Sequence, residues 1–163
     1  MSELFAPPDD EWTRVSVRLR DAHRFAFVLP GAVLLAVVAV ALHLVLGWWW
    51  LSGTLATAVV VGAVWGWWWA ARNQAAWGYA ENADDLFVTS GIMWRRLVSV
   101  PYGRMQYVDV QSGPVARRFG IASITLHTAS PDTAARIPGL RADEATRLRN
   151  RLTELGESHA AGL

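Results

Sequence analysis

The chain reads as an α+β protein: a two-helix transmembrane hairpin, then a small antiparallel β-barrel or sandwich closed by a C-terminal amphipathic helix. Three observations lead there. Residues 26–71 hold no Lys, Arg, Asp or Glu, and that run is about twice the roughly 20 residues an α-helix needs to cross a bilayer core. A Gly-and-Trp break divides the run in two. Behind it, short segments alternate at period two between turn signals, and the last segment carries an apolar stripe at helical spacing.

Composition narrows the class. Net charge is +1 over 163 residues, which gives no case for bulk attraction to nucleic acid. All 15 basic residues are Arg and none is Lys, a bias expected of a GC-rich bacterial genome. Cysteine is absent, so the fold holds by packing, without disulfides, thiolate metal sites or a cysteine nucleophile. Residues 1–24 read as a cytoplasmic N-terminal tail. Pro7 and Pro8 mark its start as disordered. Trp12, Val15, Leu19 and Ala22 then recur at helical spacing, with Arg14, Arg18 and Arg24 elsewhere on the wheel. That pattern fits a short interfacial helix.

The hairpin is expected over residues 25–71. Its first span, about 25–46, covers roughly 33 Å as a helix. A cleaved signal peptide would have a shorter apolar region and a small-residue cleavage site. Here the run is long, and Gly47-Trp48-Trp49-Trp50 follows it. Trp48, Trp49 and Trp50 read as an aromatic belt at the headgroup level. Gly47, Ser52 and Gly53 permit a tight turn beside them. The second span runs over about 51–71, and Trp67, Trp68 and Trp69, with Trp65, form a second belt. Arg14, Arg18, Arg20 and Arg24 precede the first span, Arg72 follows the second, and the turn is uncharged. Positive residues near spans stay cytoplasmic, which puts both termini on that side of a bacterial plasma membrane. Pro30 lies near the start of the first span: in the first turn its missing N–H costs little, and deeper in it kinks the helix. His43, the titratable side chain within the spans, reads as an interfacial or packing residue.

A cytoplasmic domain is expected over 77–156, with 157–163 as a flexible tail. Residues 86–89 are strand-like, and Ser90-Gly91 is a turn signal. Residues 92–100 make a second strand ended by Pro101. Residues 105–111 alternate until Gly113-Pro114. Residues 122–128 alternate with Ile124 and Leu126 on the core face. Residues 134–137 make one more short strand before Pro138-Gly139. Ala145, Leu148, Leu152 and Leu155 then form the stripe of the closing helix, whose acidic start at Asp143-Glu144 suits the helix dipole.

These residues carry a resemblance. Leu86-Phe87-Val88-Thr89-Ser90-Gly91-Ile92, the stretch from Val98 through Pro101-Tyr102-Gly103-Arg104 to Val110, Gly113-Pro114 through Gly120, and Ile137-Pro138-Gly139-Leu140 are similar to the bacterial pleckstrin-homology-like domain of YdbS-type membrane proteins. Trp12-Thr13-Arg14-Val15-Ser16 resembles a stretch near the start of that family. The resemblance covers nearly everything after Asp10. It implies a PH-like fold behind two membrane spans, and it suggests a larger PH-like relative as partner in a two-component membrane assembly. Eukaryotic relatives that bind phosphoinositides use basic residues around the first hairpin. The matching loop here, residues 81–85, is acidic, which argues against inositol phosphate there.

The candidate lipid or partner contacts are Arg95, Arg96, Arg104, Arg117 and Arg118, each able to meet an anionic headgroup. Arg117 and Arg118 read as part of a loop between turn-forming glycines. Gln106 and Asp109 could hold a polar ligand or peptide, or simply bond backbone at a sheet edge. His127 sits on a polar strand face with no carboxylate at useful spacing. No phosphate-binding Gly loop or metal-ligand cluster is present in the sequence, so no cofactor and no catalysis are expected. The expected role is a membrane-anchored interaction module at the inner leaflet, bound to the bilayer and to another membrane protein. The alternatives are an anionic-lipid sensor, or an accessory subunit of a transporter or membrane enzyme.

Overall fold

The computed structural model describes residues 12–47, 49–129 and 134–161. The chain divides into two compact units. One is Arg20–Arg72; the other joins the described residues up to Leu19 to those from Asn73 onward.

The first unit is a pair of apolar helices. A continuous helical run contains α1 (Arg18–His23), a π-helical turn over Arg24–Val28 and α2 (Leu29–Leu46). The π turn has a local cause. Pro30 has no N–H to give to the turn before it, and the Leu29 N–H reaches back to the Arg24 carbonyl, so the ladder widens by one residue just ahead of the proline. Gly47 ends α2 at φ 64°, donating its N–H to the His43 carbonyl at 3.0 Å. That left-handed cap is a conformation glycine adopts freely. The helix α3 (Trp49–Ala75) begins two residues later. The turn is thus tighter than the expected break between spans at about 46 and 51, and Gly53, expected to help the turn, lies inside α3. Two helices, Arg18–Val45 and Gly53–Ala75, are long and apolar enough to cross a membrane. Leu34, Val37, Leu44 and Val60 point outward and are exposed, a surface suited to lipid rather than water. A Cβ on Gly66 would meet Val28 Cγ2 at 3.1 Å, so α3 uses a glycine where it approaches the π turn ahead of α2 closely. An apolar groove of about 510 Å³ between the helices is lined by Gly31, Ala32, Gly62 and Ala63, among others.

The second unit holds two antiparallel sheets and a helix. The first sheet runs in the order β1 (Thr13–Arg14), β2 (Gly78–Glu81), β3 (Asp85–Ser90), β4 (Arg96–Pro101). A 3₁₀ turn over Tyr102–Arg104 leads to the second sheet, of β5 (Met105–Gln111), β6 (Ile121–Thr128) and β7 (Ala135–Arg141). The single-turn helix α4 (Pro114–Arg118) joins β5 to β6, and α5 (Ala142–Ala161) ends the unit. Period-two alternation sends Leu86, Val88 and Val100 inward from one sheet and Ile124, Leu126, Ile137 and Leu140 inward from the other. Ala145, Leu148 and Leu152 on α5 complete this core, and both leucines are fully buried. Among the described residues the sheets stay separate, so the arrangement is a two-sheet one and not a closed barrel.

Several boundaries differ from the sequence reading, each for a physical reason. The segment before the first span is not a free interfacial helix. Thr13 and Arg14 pair with Tyr79 and Gly78, and Val15 and Leu19 are buried within this unit. The hairpin is therefore an insertion between β1 and β2, and the domain begins well before residue 77. Residues 92–95 form a loop, so β4 is shorter than the expected 92–100 strand. β7 runs through Pro138 and Gly139 rather than stopping before them. A register irregularity between Ala122 and Ile124 lies opposite these two residues, and Gly139 takes φ 70° there. A bulge on an edge strand accommodates a proline without costing a ladder bond. The stretch 157–161, expected as tail, continues α5.

Candidate membrane-facing surface

The strand register sorts the candidate arginines by end of the domain. Gly78, three residues past the end of α3, pairs with Thr89. Ser90 pairs with Arg96. The loop 91–95, with Arg95 and Arg96, therefore lies at the end of the first sheet where the chain arrives from α3. Both arginines are exposed.

A second set of contacts ties α4 to the N-terminal connection. Arg14 pairs with Gly78. Four residues on, the Arg18 guanidinium lies 3.5 Å from the Phe119 carbonyl, just past α4. Gly120 takes φ 64°, and a Cβ there would meet Arg18 Nη1 at 3.1 Å. Ser16 donates its N–H to the Gly139 carbonyl at 3.0 Å. Arg117 and Arg118 are exposed on α4. They belong to a helical turn with Gly113 at its N-cap, not to the expected loop. Arg18 thus joins Arg95, Arg96, Arg117 and Arg118 at the end of the domain where the chain leaves for the hairpin and returns. From the sequence, Arg18 reads as a topogenic charge on the polar face of an interfacial helix; its tie to Phe119 spans 101 residues and carries no local signal.

Arg104 is elsewhere. It follows β4 at the opposite end of the first sheet, beside a shallow cavity of about 590 Å³ lined by Asp84, Asp85, Ser158 and His159. His159 Nε2 sits 3.5 Å from Asp84 Oδ1. The β2–β3 turn there is built by short bonds: Ala83 N–H donates to Asn82 Oδ1 at 2.9 Å, and the Tyr102 hydroxyl donates to the Asn82 carbonyl at 2.9 Å. The acidic loop, residues 81–85, and Arg104 therefore share the end remote from the other arginines.

A polar network links α5 to β2. The Tyr79 hydroxyl donates to Glu144 Oε1 at 2.5 Å, and Arg147 Nη2 donates to Glu81 Oε1 at 2.7 Å. Burial, followed by the bond to the Glu144 carboxylate, pushes the Tyr79 phenol well up from its ordinary value. Burial also pushes Tyr102 up to about 12, with the Glu81 charge adding to it. The bond to Glu81 holds Arg147 more firmly protonated. Tyr79 also faces the core side of β2, so these bonds fasten the helix and do not form an open site.

On the outer face of the second sheet Tyr107 and His127 stack at 4.3 Å across paired strands. Asp109 Oδ2 accepts from Gln111 Nε2 at 2.7 Å, a side-chain bond in place of the backbone bond considered for it. Gln106 is exposed. No group of three or more metal-ligating side chains occurs among the described residues.

Within the hairpin unit, the Arg24 guanidinium lies 3.9 Å from the centre of the Trp67 ring and donates to the Trp67 carbonyl at 3.2 Å. Arg72 lies 4.5 Å from the Trp68 ring. Cation–π pairs of this kind combine the two groups that favour a headgroup layer. Trp69 and, at the other end of the hairpin, Trp50 are about half exposed. Trp49 opens α3; Trp48 lies outside the described residues.

Comparison with known proteins agrees with the resemblance read from the sequence. The family described as Bacterial PH domain matches residues 24–156. The UPF0699 transmembrane protein YdbS of Bacillus subtilis (strain 168) is 30% identical over 131 residues, which cover 78% of this chain and 81% of that protein. No solved structure matches the chain. With a family match that spans both apolar helices and strands β2 to β7, and a transmembrane relative aligned over most of its length, the chain belongs to the bacterial PH domain family.

Proposed function

We propose that the protein is a membrane-anchored interaction module. Its PH-like domain is held at the inner leaflet and binds a partner there, within a multi-protein membrane assembly, without catalysis. The observation that carries this reading is the pairing of β1 with β2 across the inserted hairpin. Two strands of one sheet must lie on the same side of a bilayer. The chain between them therefore crosses an even number of times, which supports a hairpin of two spans with both termini on one side. The arginines that flank the hairpin support the cytoplasm as that side. Two covalent connections, one at each end of the hairpin, then keep the domain close to the membrane, where a binding surface gains from restricted search. Another integral membrane protein, such as a larger PH-like relative, is the partner this arrangement suits.

Fusions of a fluorescent protein and of alkaline phosphatase at Leu163, and again at Met1, test the topology. Fluorescence with inactive phosphatase at both ends is expected; active phosphatase at one end alone would overturn the hairpin, and active phosphatase at both would overturn the cytoplasmic orientation. Purification of the full chain in mild detergent from its own membranes tests the assembly. A stoichiometric membrane-protein partner is expected.

A further inference from the structure

The loop 91–95 presents an apolar tip that the fold does not use. Met93 is 86% exposed and Trp94 87% exposed, more than any other large apolar side chain among the described residues, the lipid-suited faces of the hairpin included. The tip is held out by design of the turn. Gly91 takes φ 98°, and a Cβ there would lie 1.9 Å from the Trp94 carbonyl oxygen. Only glycine permits the chain to fold back so tightly and leave both side chains pointing away. Arg95 and Arg96 follow directly and are exposed.

We propose that this tip is a membrane-docking element that inserts Met93 and Trp94 into the headgroup layer of an anionic bilayer surface, with Arg95 and Arg96 on the phosphates. The proposal deepens the reading of a domain held at the inner leaflet and rests on it. Three features select a lipid surface as the occupant. Indole combines an apolar body with one N–H, the chemistry that favours the headgroup level over either water or hydrocarbon. Adjacent guanidinium groups complement anionic headgroups. The register places the tip one residue pair beyond Gly78, at the end of the sheet where the chain arrives from an apolar helix. A protein groove could also take a Met-Trp tip, but it would not require the flanking positive charge.

Because the chain lacks cysteine, Trp94→Cys or Met93→Cys gives a unique labelling position in the full chain. Each variant is labelled with a polarity-sensitive fluorophore and reconstituted into vesicles of phosphatidylcholine, or of equal parts phosphatidylcholine and phosphatidylglycerol. Thr153→Cys, exposed on α5, is the control. In the anionic vesicles the probe at 94 is expected to shift to the blue and to be quenched several-fold more than the control by a lipid-borne quencher. Arg95→Ala with Arg96→Ala, or salt raised to about 1 M, where screening shortens to about 3 Å, should reverse most of that. An aqueous spectrum at 93 and 94 in both vesicles overturns the proposal, as does quenching indifferent to lipid charge. If a co-purifying protein instead shields position 94 from labelling, the tip is a protein contact. The lipid proposal then fails while the binding-module reading stands.

Discussion

The buried side chain of Gln74 donates to the backbone carbonyl of Val15 at 2.8 Å, although 59 residues and the whole apolar hairpin separate them in sequence. Gln74 belongs to the last turn of α3, and Val15 directly follows β1. One amide thus closes the domain across the insertion. Gln74→Ala leaves the Val15 carbonyl without that partner in a buried setting, at a cost of about 1–3 kcal/mol. Denaturant unfolding of the detergent-solubilised chain measures it. A change within the noise would mean that the bond contributes nothing net.

Removing the hairpin should yield a soluble domain only if the N-terminal segment is kept. Replacing Arg20–Arg72 with a short flexible linker is expected to give a cooperative melt, since β1, Val15 and Leu19 remain attached. The same protein without residues 12–19 should lose that melt. A fragment that starts at residue 77 and melts equally well would refute the inserted arrangement.

Leu148 and Leu152 lie fully buried between α5 and the sheets. Leu148→Asp with Leu152→Asp places two carboxylates there at a cost of several kcal/mol. Loss of cooperative unfolding, read by near-ultraviolet circular dichroism, is expected, and a retained melt would show that α5 is dispensable.

Gly139→Ala should destabilise by about 1–3 kcal/mol. Its φ is 70°, and the added Cβ would lie 2.6 Å from Leu19 Cβ. Leu19→Ala should recover only part of the loss, because the Leu19 Cβ and the backbone strain both remain. Full recovery would assign the whole effect to the Leu19 side chain.

Alkali should weaken the domain. Tyr79 and Tyr102 hold their protons more tightly when folded. Their contribution is complete below the unfolded value of about 10 and is lost as pH rises toward the folded values, which for Tyr102 is about 12. The melting temperature should fall across that window. Tyr79→Phe with Tyr102→Phe should flatten the fall, and an unchanged slope would count against the phenols as its source.

The two long apolar helices and most strands were legible because they obey a single period or a simple composition. Residues 105–111 read as a strand to the residue, and Ile124 and Leu126 read as core. What escaped was structure without local signal. β1 has two residues, too few for any period, and its partner is far along the chain. Val15 and Leu19 share a spacing with an amphipathic helix, yet they are buried as part of a β-rich unit. Ile92, Met93 and Trp94 have strand-like composition, and only the backbone at Gly91 reveals that they turn instead. Of the candidate arginines, sequence gave the residue types, whereas long-range pairing decided that Arg104 sits apart from the others.

The insertion of the hairpin between β1 and β2 also changes how the domain can assemble. β1 leaves the ribosome before β2 and must wait, unpaired, until both apolar helices have been made. As a free coil, the intervening chain would oppose that pairing through loop-closure entropy, which grows with the logarithm of its length. Once the two helices pair, with Arg24 bonded to the Trp67 carbonyl, the connection is short and ordered, and much of that entropy has already been lost. Pairing of the two apolar helices is then a folding step for the two-sheet unit: the helix pair brings the two ends of its first sheet within reach.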